Sequence, residues 1–206
     1  MPEQTAREPI ECGIATRCRL GEEMSGDLAV VRLVPGGALV AGIDGLGHGR
    51  EAARAARKAA AVLRERPSRD LVWLVQRCHG ALRGTRGAAI SLAFVSAPDS
   101  SMTWVGVGNV EGRVLSGDPA SARPKGSLVL ARGVPGHELP AVRAATIAMR
   151  PGDVLLLATD GVDPGFADAL ELSGSSQTIS ERILSDHWKA SDDALVIVVR
   201  YLGERR

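Results

Sequence analysis

The chain has 206 residues and a formal net charge of +1, which suits one domain with a sizeable core and gives no indication of a nucleic-acid partner. Its three cysteines contain no C-x-x-C pair and indicate neither a disulfide framework nor a zinc site. No apolar segment reaches the length of a membrane span, and residues 1–11 lack the apolar core of a signal peptide, so we expect a cytoplasmic protein without a membrane partner.

The first half of the sequence predicts strands followed by helices. Apolar patterns predict strands over residues 10–18, 27–34 and 39–43. Helical periodicity predicts helices over residues 49–66 and about 69–83. The Pro35-Gly36-Gly37 turn joins the second and third strands into a hairpin. Ser68 follows the helix breaker Pro67 and is the predicted N-cap of the second helix.

The second half predicts mostly strands joined by tight turns. These strands cover residues 88–96, 102–108, 111–115, 127–131, 142–149, 153–158 and 194–201. Short helices are predicted near residues 165–171 and 178–188. Strands 142–149 and 153–158 are expected to pair around Arg150-Pro151-Gly152. Because strands and helices do not alternate regularly, the order favours an α+β fold of two stacked, mostly antiparallel sheets flanked by helices.

Carboxylates lie at the ends of three predicted strands. The apolar run 39–43 ends in Asp44, and the backbone carbonyl of Gly45 follows at the same edge of the sheet. The pattern recurs at Asp160, and Asp193 directly precedes the last strand, with Asp192 as its polar neighbour. Carboxylates, carbonyls and water are ligands for Mg²⁺ or Mn²⁺ rather than Zn²⁺. The sequence therefore predicts a hard-cation site built on strand ends.

Other interpretations of these residues remain open at this point. Asp44 with Gly45 could be an ordinary Asp-Gly turn. A dinucleotide-binding loop is less consistent, because the spacing is G-x-G-x-G and Asp44 would repel a pyrophosphate. Asp27 could hold water at a metal or simply follow a turn. We expect His48 to start a helix, His79 to be structural, and His137 to be at most a general-acid candidate.

Five motifs, in this order, resemble those of the metal-dependent PP2C-type (PPM) serine/threonine phosphatases. They are Ser-Gly-Asp at 25–27, Asp-Gly-x-Gly-His-Gly at 44–49, Gly-x-Gly-Asn at 106–109, Thr-Asp-Gly at 159–161 and Asp-Asp-Ala at 192–194. The His-Gly ending and the short chain are most similar to the bacterial sporulation and stress-response branch, and within it to short stand-alone stressosome feedback phosphatases.

This resemblance implies a four-layer α-β-β-α sandwich and a centre of two Mn²⁺ or Mg²⁺ ions, with Mn²⁺ favoured. By position, Asp44 would bridge both metals and the Gly45 carbonyl would bind one of them. Asp160 and Asp193 would bind the other, and Asp27 would hydrogen-bond a metal-bound water. A hydroxide between the metals would attack the phosphorus of phosphoserine or phosphothreonine in a partner protein.

The resemblance also implies the partner proteins, and the sequence departs from the family pattern at a few positions. The expected substrates are phosphorylated STAS-domain components of a stressosome. Asn109 replaces an Asp that contributes to a third metal in some bacterial members, so a third site is not expected. Arg17 and Arg19 are candidates for the phosphate-binding Arg that eukaryotic members carry near the N-terminus. Two alternatives to a protein phosphatase remain: a non-catalytic module that binds phosphoproteins, and a metal-dependent hydrolase of small phosphomonoesters.

Overall fold

A computed structural model describes residues 8–118, 124–168 and 170–203. The strands in these ranges are β1 (Ile10–Arg17), β2 (Asp27–Val34), β3 (Gly37–Gly45), β4 (Ala88–Ser96), β5 (Ser101–Val107), β6 (Glu111–Leu115), β7 (Pro124–Ser127), β8 (Leu130–Ala131), β9 (Ala145–Ala148), β10 (Val154–Ala158) and β11 (Ala194–Tyr201). The helices are α1 (Gly49–Glu65), α2 (Leu71–Leu82) and α3 (Ser176–His187). None of these helices has the length and apolarity needed to cross a membrane.

The strands form two sheets. Sheet A has the order β1-β11-β10-β6-β7, and sheet B has the order β2-β3-β4-β5-β8, with β9 also paired to β5. The described ladders are antiparallel except for the short β5–β8 pair, which is parallel. The predicted hairpin is confirmed, because β2 pairs with β3 across the turn at Gly36, which has φ +77°.

Alternate residues of the central strands face two different cores, which produces four layers. Leu195 and Ile197 of β11 lie in the core between the two sheets, whereas Val196 and Val198 pack toward α3. On sheet B, α1 and α2 cover the outer face. The order is therefore α1/α2, sheet B, sheet A and α3, which confirms the α-β-β-α sandwich.

The alanines of α1 allow this helix to lie close to sheet B at the edge where β3 ends. Ala52, Ala56 and Ala59 are fully buried against the sheet. A Cβ built on Gly45 would lie 2.2 Å from the carbonyl oxygen of Ala52, so only glycine permits this approach. The first turn of α1 therefore fixes the end of β3, where the first strand-end carboxylate lies.

The predicted pairing of strands 142–149 and 153–158 is wrong. β9 belongs to sheet B and β10 to sheet A, and the turn between them crosses from one sheet to the other. The buried carboxylate of Asp153 accepts hydrogen bonds from the backbone of Arg150 at 2.7 Å and of Gly117 at 3.2 Å, and it pairs with Lys125. These contacts hold the Pro-Gly turn as a crossing rather than as a hairpin.

Local differences from the sequence predictions have identifiable causes. The N-cap of α2 is Asp70, which accepts a hydrogen bond from the backbone N of Trp73 at 2.9 Å, while Ser68 accepts one from the backbone N of Asp70. Residues 164–168 form turns instead of the predicted helix, with Gly165 at φ +88°, and residue 169 lies outside the described ranges. The predicted strand 127–131 is split between the end of β7 and β8.

Candidate active site

The strand ends bring the four predicted carboxylates to one edge of the sandwich. Asp27 begins β2 and is the direct cross-strand partner of Asp44 near the end of β3. Asp160 follows β10, and Asp193 precedes its antiparallel neighbour β11. Asp27 and Asp193 are buried, Asp44 is half-buried and Asp160 is exposed. Asp160 is thus the most solvent-accessible of the four carboxylates.

Thr159 joins the two sheets at this edge. Its hydroxyl donates to Oδ2 of Asp27 at 2.6 Å and accepts a hydrogen bond from the backbone N of Leu195 at 2.8 Å. Asp27 belongs to sheet B and Leu195 to sheet A. Thr159 belongs to one of the sequence motifs, but its role could not be predicted from the sequence because the hydrogen bond depends on how the two sheets are stacked.

Backbone amides hold the carboxylate of Asp193 in place. Its Oδ2 accepts from the backbone N of Gly26 at 2.7 Å, and its Oδ1 accepts from the backbone N of Arg19 at 2.9 Å. A Cβ on Gly161 would lie 1.8 Å from the carbonyl oxygen of Asp193, so the turn after Asp160 packs directly on this residue. Asp193 therefore anchors both the loop before β2 and the turn after β10.

Asn109 contributes a neutral donor to the carboxylates. Its Nδ2 donates to Oδ2 of Asp160 at 2.7 Å. The amide therefore orients the carboxylate of Asp160 without adding charge, which an aspartate at this position could not do.

Negative charge accumulates at this edge, and no ion pair among the described residues neutralises its four carboxylates. Burial, and next the charge of Asp44, raise the pKa of Asp27 to about 8. Burial, and next the charge of Asp160, raise the pKa of Asp44 to about 7. Within the described residues, no Lys or Arg side chain pairs with Asp27, Asp44, Asp160 or Asp193. The edge is therefore a candidate cation site.

The donor set fits a hard cation, although the side chains do not enclose one by themselves. In ranges 8–118, 124–168 and 170–203, no three His, Cys, Asp or Glu side chains form a ready-made metal cluster. Asp160 and Asp193 instead accept hydrogen bonds from the protein. The carbonyl of Gly45 and water supply the further oxygen ligands that Mg²⁺ and Mn²⁺ commonly use.

The other predicted residues lie around this edge. His48 is the N-cap residue of α1, as expected, and its Nδ1 lies 2.6 Å from Oε1 of Glu22. Arg17 stacks on Trp188, with 4.9 Å between the guanidinium carbon and the ring centroid. Lys189, which no sequence motif indicated, donates from Nζ to the backbone carbonyl of Asp160 at 2.8 Å.

His79 and His137 have structural contacts. The ring Nδ1 of His79 accepts a hydrogen bond from the backbone N of Gly136 at 3.0 Å, which confirms the structural role expected for it. His137 donates from Nε2 to the carbonyl oxygen of Arg86 at 2.9 Å. The structure thus gives His137 a contact with the loop before β4, and the general-acid interpretation gains no support.

Comparison with known proteins identifies relatives of this fold. The family model described as Stage II sporulation protein E (SpoIIE) matches residues 35–202. A solved structure from work on the bacterial stressosome, described there as a modular system adapted to control secondary messenger signaling, is 33% identical. The match covers 94% of this chain and 100% of that chain, with a TM-score of 0.85.

More distant solved structures share the fold. RsbX in complex with magnesium is 21% identical with a TM-score of 0.84, and the match covers 95% of this chain and 96% of that chain. The serine/threonine phosphatase PstP/Ppp of Mycobacterium tuberculosis is 17% identical with a TM-score of 0.72, and the match covers 94% of this chain and 99% of that chain. No curated protein sequence matches this chain.

Proposed function

Because the chain belongs to the Stage II sporulation protein E (SpoIIE) family and has the PP2C-type phosphatase fold, we propose that it is a divalent-metal-dependent protein serine/threonine phosphatase. The observation that carries this proposal is the edge where Asp27, Asp44, Asp160 and Asp193 meet. Four carboxylates that no basic side chain of the described residues neutralises are costly to hold together. A bound divalent cation offsets that cost.

Asp44, Asp160, Asp193 and the carbonyl of Gly45 would hold two ions, Mn²⁺ or Mg²⁺, with Mn²⁺ favoured by the family resemblance. When bound, such ions screen the charge of a phosphate ester and supply Lewis acidity. Hydrogen bonds within the chain fix the positions of the carboxylates that would bind the ions. Asn109 orients the carboxylate of Asp160, and the backbone amides on Asp193 fix its two oxygens.

Asp27 is proposed to orient the attacking water. The hydroxyl of Thr159 occupies Oδ2 of Asp27, and Oδ1 makes no hydrogen bond within the described part of the chain. Oδ1 can therefore accept a hydrogen bond from a water molecule that approaches the phosphorus. The short contact with Thr159 fixes the carboxylate rotamer, so the accepting oxygen points in a constant direction.

The open form of the edge supports a protein substrate over a small phosphomonoester. Asp160 is exposed, whereas a cavity of about 650 Å³ lies elsewhere, between the end of β6 and residues 167–168 and 170–173. Small substrates are usually enclosed in pockets. The resemblance at 33% identity to a stressosome structure supports phosphorylated STAS-domain stressosome proteins as partners, and we place the reaction in the cytoplasm with them.

The proposal is tested by phosphate release from p-nitrophenyl phosphate and from a phosphoserine STAS domain, with Mn²⁺, Mg²⁺ or a chelator. We expect turnover with Mn²⁺ that the chelator abolishes. Calorimetry with Mn²⁺ separates the alternatives, because a non-catalytic module that binds no Mn²⁺ would show neither heat nor turnover. If the protein neither binds Mn²⁺ nor releases phosphate from the STAS domain, the proposal of a metal-dependent phosphatase is rejected.

A further inference from the structure

We propose that the guanidinium of Arg86 binds the phosphoryl group of the substrate at the rim of the carboxylate edge. This inference rests on the proposed phosphatase function and names a residue for it that no motif of the sequence singled out. Arg86 lies in the loop between α2 and β4. It carries the positive charge that a phosphate site beside four carboxylates requires.

The pairing of β3 with β4 places Arg86 next to the candidate metal ligands. Asp44 and Gly45 pair with Ala89 and Ala88 of β4. The pairing continues beyond the strands, because the backbone N of Leu46 donates to the carbonyl of Gly87 at 3.1 Å. Continued by one residue, this pairing places Arg86 opposite Gly47, in the glycine-rich turn that follows Asp44.

The guanidinium lies directly on this turn. A Cβ built on Gly47 would be 2.6 Å from Nη1 of Arg86, so the guanidinium occupies the space that a side chain at position 47 would take. Gly47 has φ +87°, a conformation that favours glycine. The glycine thus serves both the turn and the close approach of Arg86.

The backbone that carries Arg86 is held by several contacts. The carbonyl of Arg86 accepts a hydrogen bond from His137. The hydroxyl of Thr85 accepts from the backbone N of Gly87 at 3.0 Å and donates to the carbonyl of Leu82 at 2.6 Å. The next amide, that of Ala88, donates to the carbonyl of Pro135 at 3.1 Å. A side chain on such a loop loses little backbone entropy when a ligand binds.

The guanidinium is also available for a ligand. Arg86 is exposed, and no carboxylate of the described residues lies within ion-pair distance of it. The N-terminal candidates are placed differently. Arg17 stacks on Trp188, and Arg19 contributes its backbone N to Asp193.

Charge balance explains why a phosphatase would need this arginine. Two divalent cations would only balance the four carboxylates, whereas a phosphoserine carries roughly 1.5 to 2 negative charges near neutral pH. The planar guanidinium can donate two parallel hydrogen bonds to phosphate oxygens, which a lysine cannot do. Arg86 would therefore contribute both charge and orientation.

The test compares Arg86→Gln and Arg86→Lys with the wild type, and uses Arg83→Gln as a matched control from the same loop region. Arg83 is exposed and is the C-cap residue of α2. The first readout is the binding of inorganic phosphate to the Mn²⁺-loaded protein by calorimetry. The second is the separate change in KM and kcat for p-nitrophenyl phosphate. Unchanged Mn²⁺ affinity and melting temperature confirm that the variants are folded.

We expect Arg86→Gln to weaken phosphate binding by roughly 10–100-fold, the usual effect of losing a charge-assisted contact. KM should rise with it, Arg86→Lys should recover only part of the loss, and Arg83→Gln should match the wild type. A wild type that binds no phosphate, or an Arg86→Gln variant with wild-type phosphate affinity, overturns the inference. Arg86-dependent phosphate binding without turnover would support the inference and reject the phosphatase proposal.

Discussion

Replacing Asp27 by Asn should stabilise the metal-free protein at pH 8. In the folded chain, burial and the charge of Asp44 raise the pKa of Asp27 to about 8, while the pKa in the unfolded chain is about 4. Between these values the folded state binds more protons than the unfolded state, so the free energy of unfolding falls as the pH rises. Asn has nearly the same shape, keeps an oxygen for the hydroxyl of Thr159 and carries no charge.

The expected gain in the free energy of unfolding follows from the cost of ionising Asp27 in the folded state. Each pKa unit corresponds to about 1.4 kcal/mol. The repulsion is shared with Asp44, so only part of the shift belongs to Asp27 alone. We therefore expect Asp27→Asn to raise the free energy of unfolding by on the order of 3 kcal/mol at pH 8. For a domain of this size, that gain raises Tm by roughly 6–12 °C. At pH 5, about one pH unit above the pKa of Asp27 in the unfolded chain, only a small part of this loss has accrued, so the variant should gain much less stability than at pH 8.

Thermal denaturation in a chelator measures the Tm difference between Asp27→Asn and the wild type at pH 5 and at pH 8. Glu65→Gln, which removes one charge from the exposed end of α1, serves as the control and should leave the two Tm values close to the wild type at each pH. A variant no more stable than the wild type at pH 8, or an equal gain at both pH values, would refute the electrostatic reasoning.

Two further substitutions test the contacts that build the site. Thr159→Val removes the hydroxyl between Asp27 and Leu195, and urea denaturation should show a loss of about 1–3 kcal/mol, largely recovered in Thr159→Ser; an unchanged midpoint would contradict the role given to the hydroxyl. Gly161→Ala places a Cβ 1.8 Å from the carbonyl of Asp193, and it should cost about 1–3 kcal/mol and weaken Mn²⁺ binding in calorimetry. Wild-type stability and Mn²⁺ affinity in that variant would show that the turn can move away from Asp193 freely.

Strand ends were predictable from the sequence because their patterns are local. The apolar run before Asp44 and the turn at Gly36 specify β3 and its hairpin with β2, and this pairing places Asp27 opposite Asp44. The convergence of Asp160 on the same edge required the stacking of two sheets. The order of strands and helices favoured two stacked sheets, and the family resemblance implied which strand ends meet in them.

Contacts between distant segments could not be predicted in the same way. The Pro-Gly turn before Asp153 has the composition of a hairpin turn, and the contacts of the buried Asp153 with Gly117 and Lys125 hold it as a crossing between sheets. Arg86 stands in no motif, and its position depends on the pairing of β3 with β4 and on the contact of His137 with its carbonyl. Such roles depend on tertiary packing, which a single sequence does not display.

The central claim is that the carboxylate edge binds divalent cations for phosphate ester hydrolysis. The most direct test is the Mn²⁺-dependent kcat/KM of Asp44→Asn on p-nitrophenyl phosphate and a phosphoserine STAS domain. Asp186→Asn, an exposed change on α3, is the matched control. Because metal charge stabilisation supplies several kcal/mol, we expect Asp44→Asn to lower kcat/KM about 1,000-fold or more while Asp186→Asn stays at the wild-type value. Full Mn²⁺-dependent turnover in Asp44→Asn would contradict the claim.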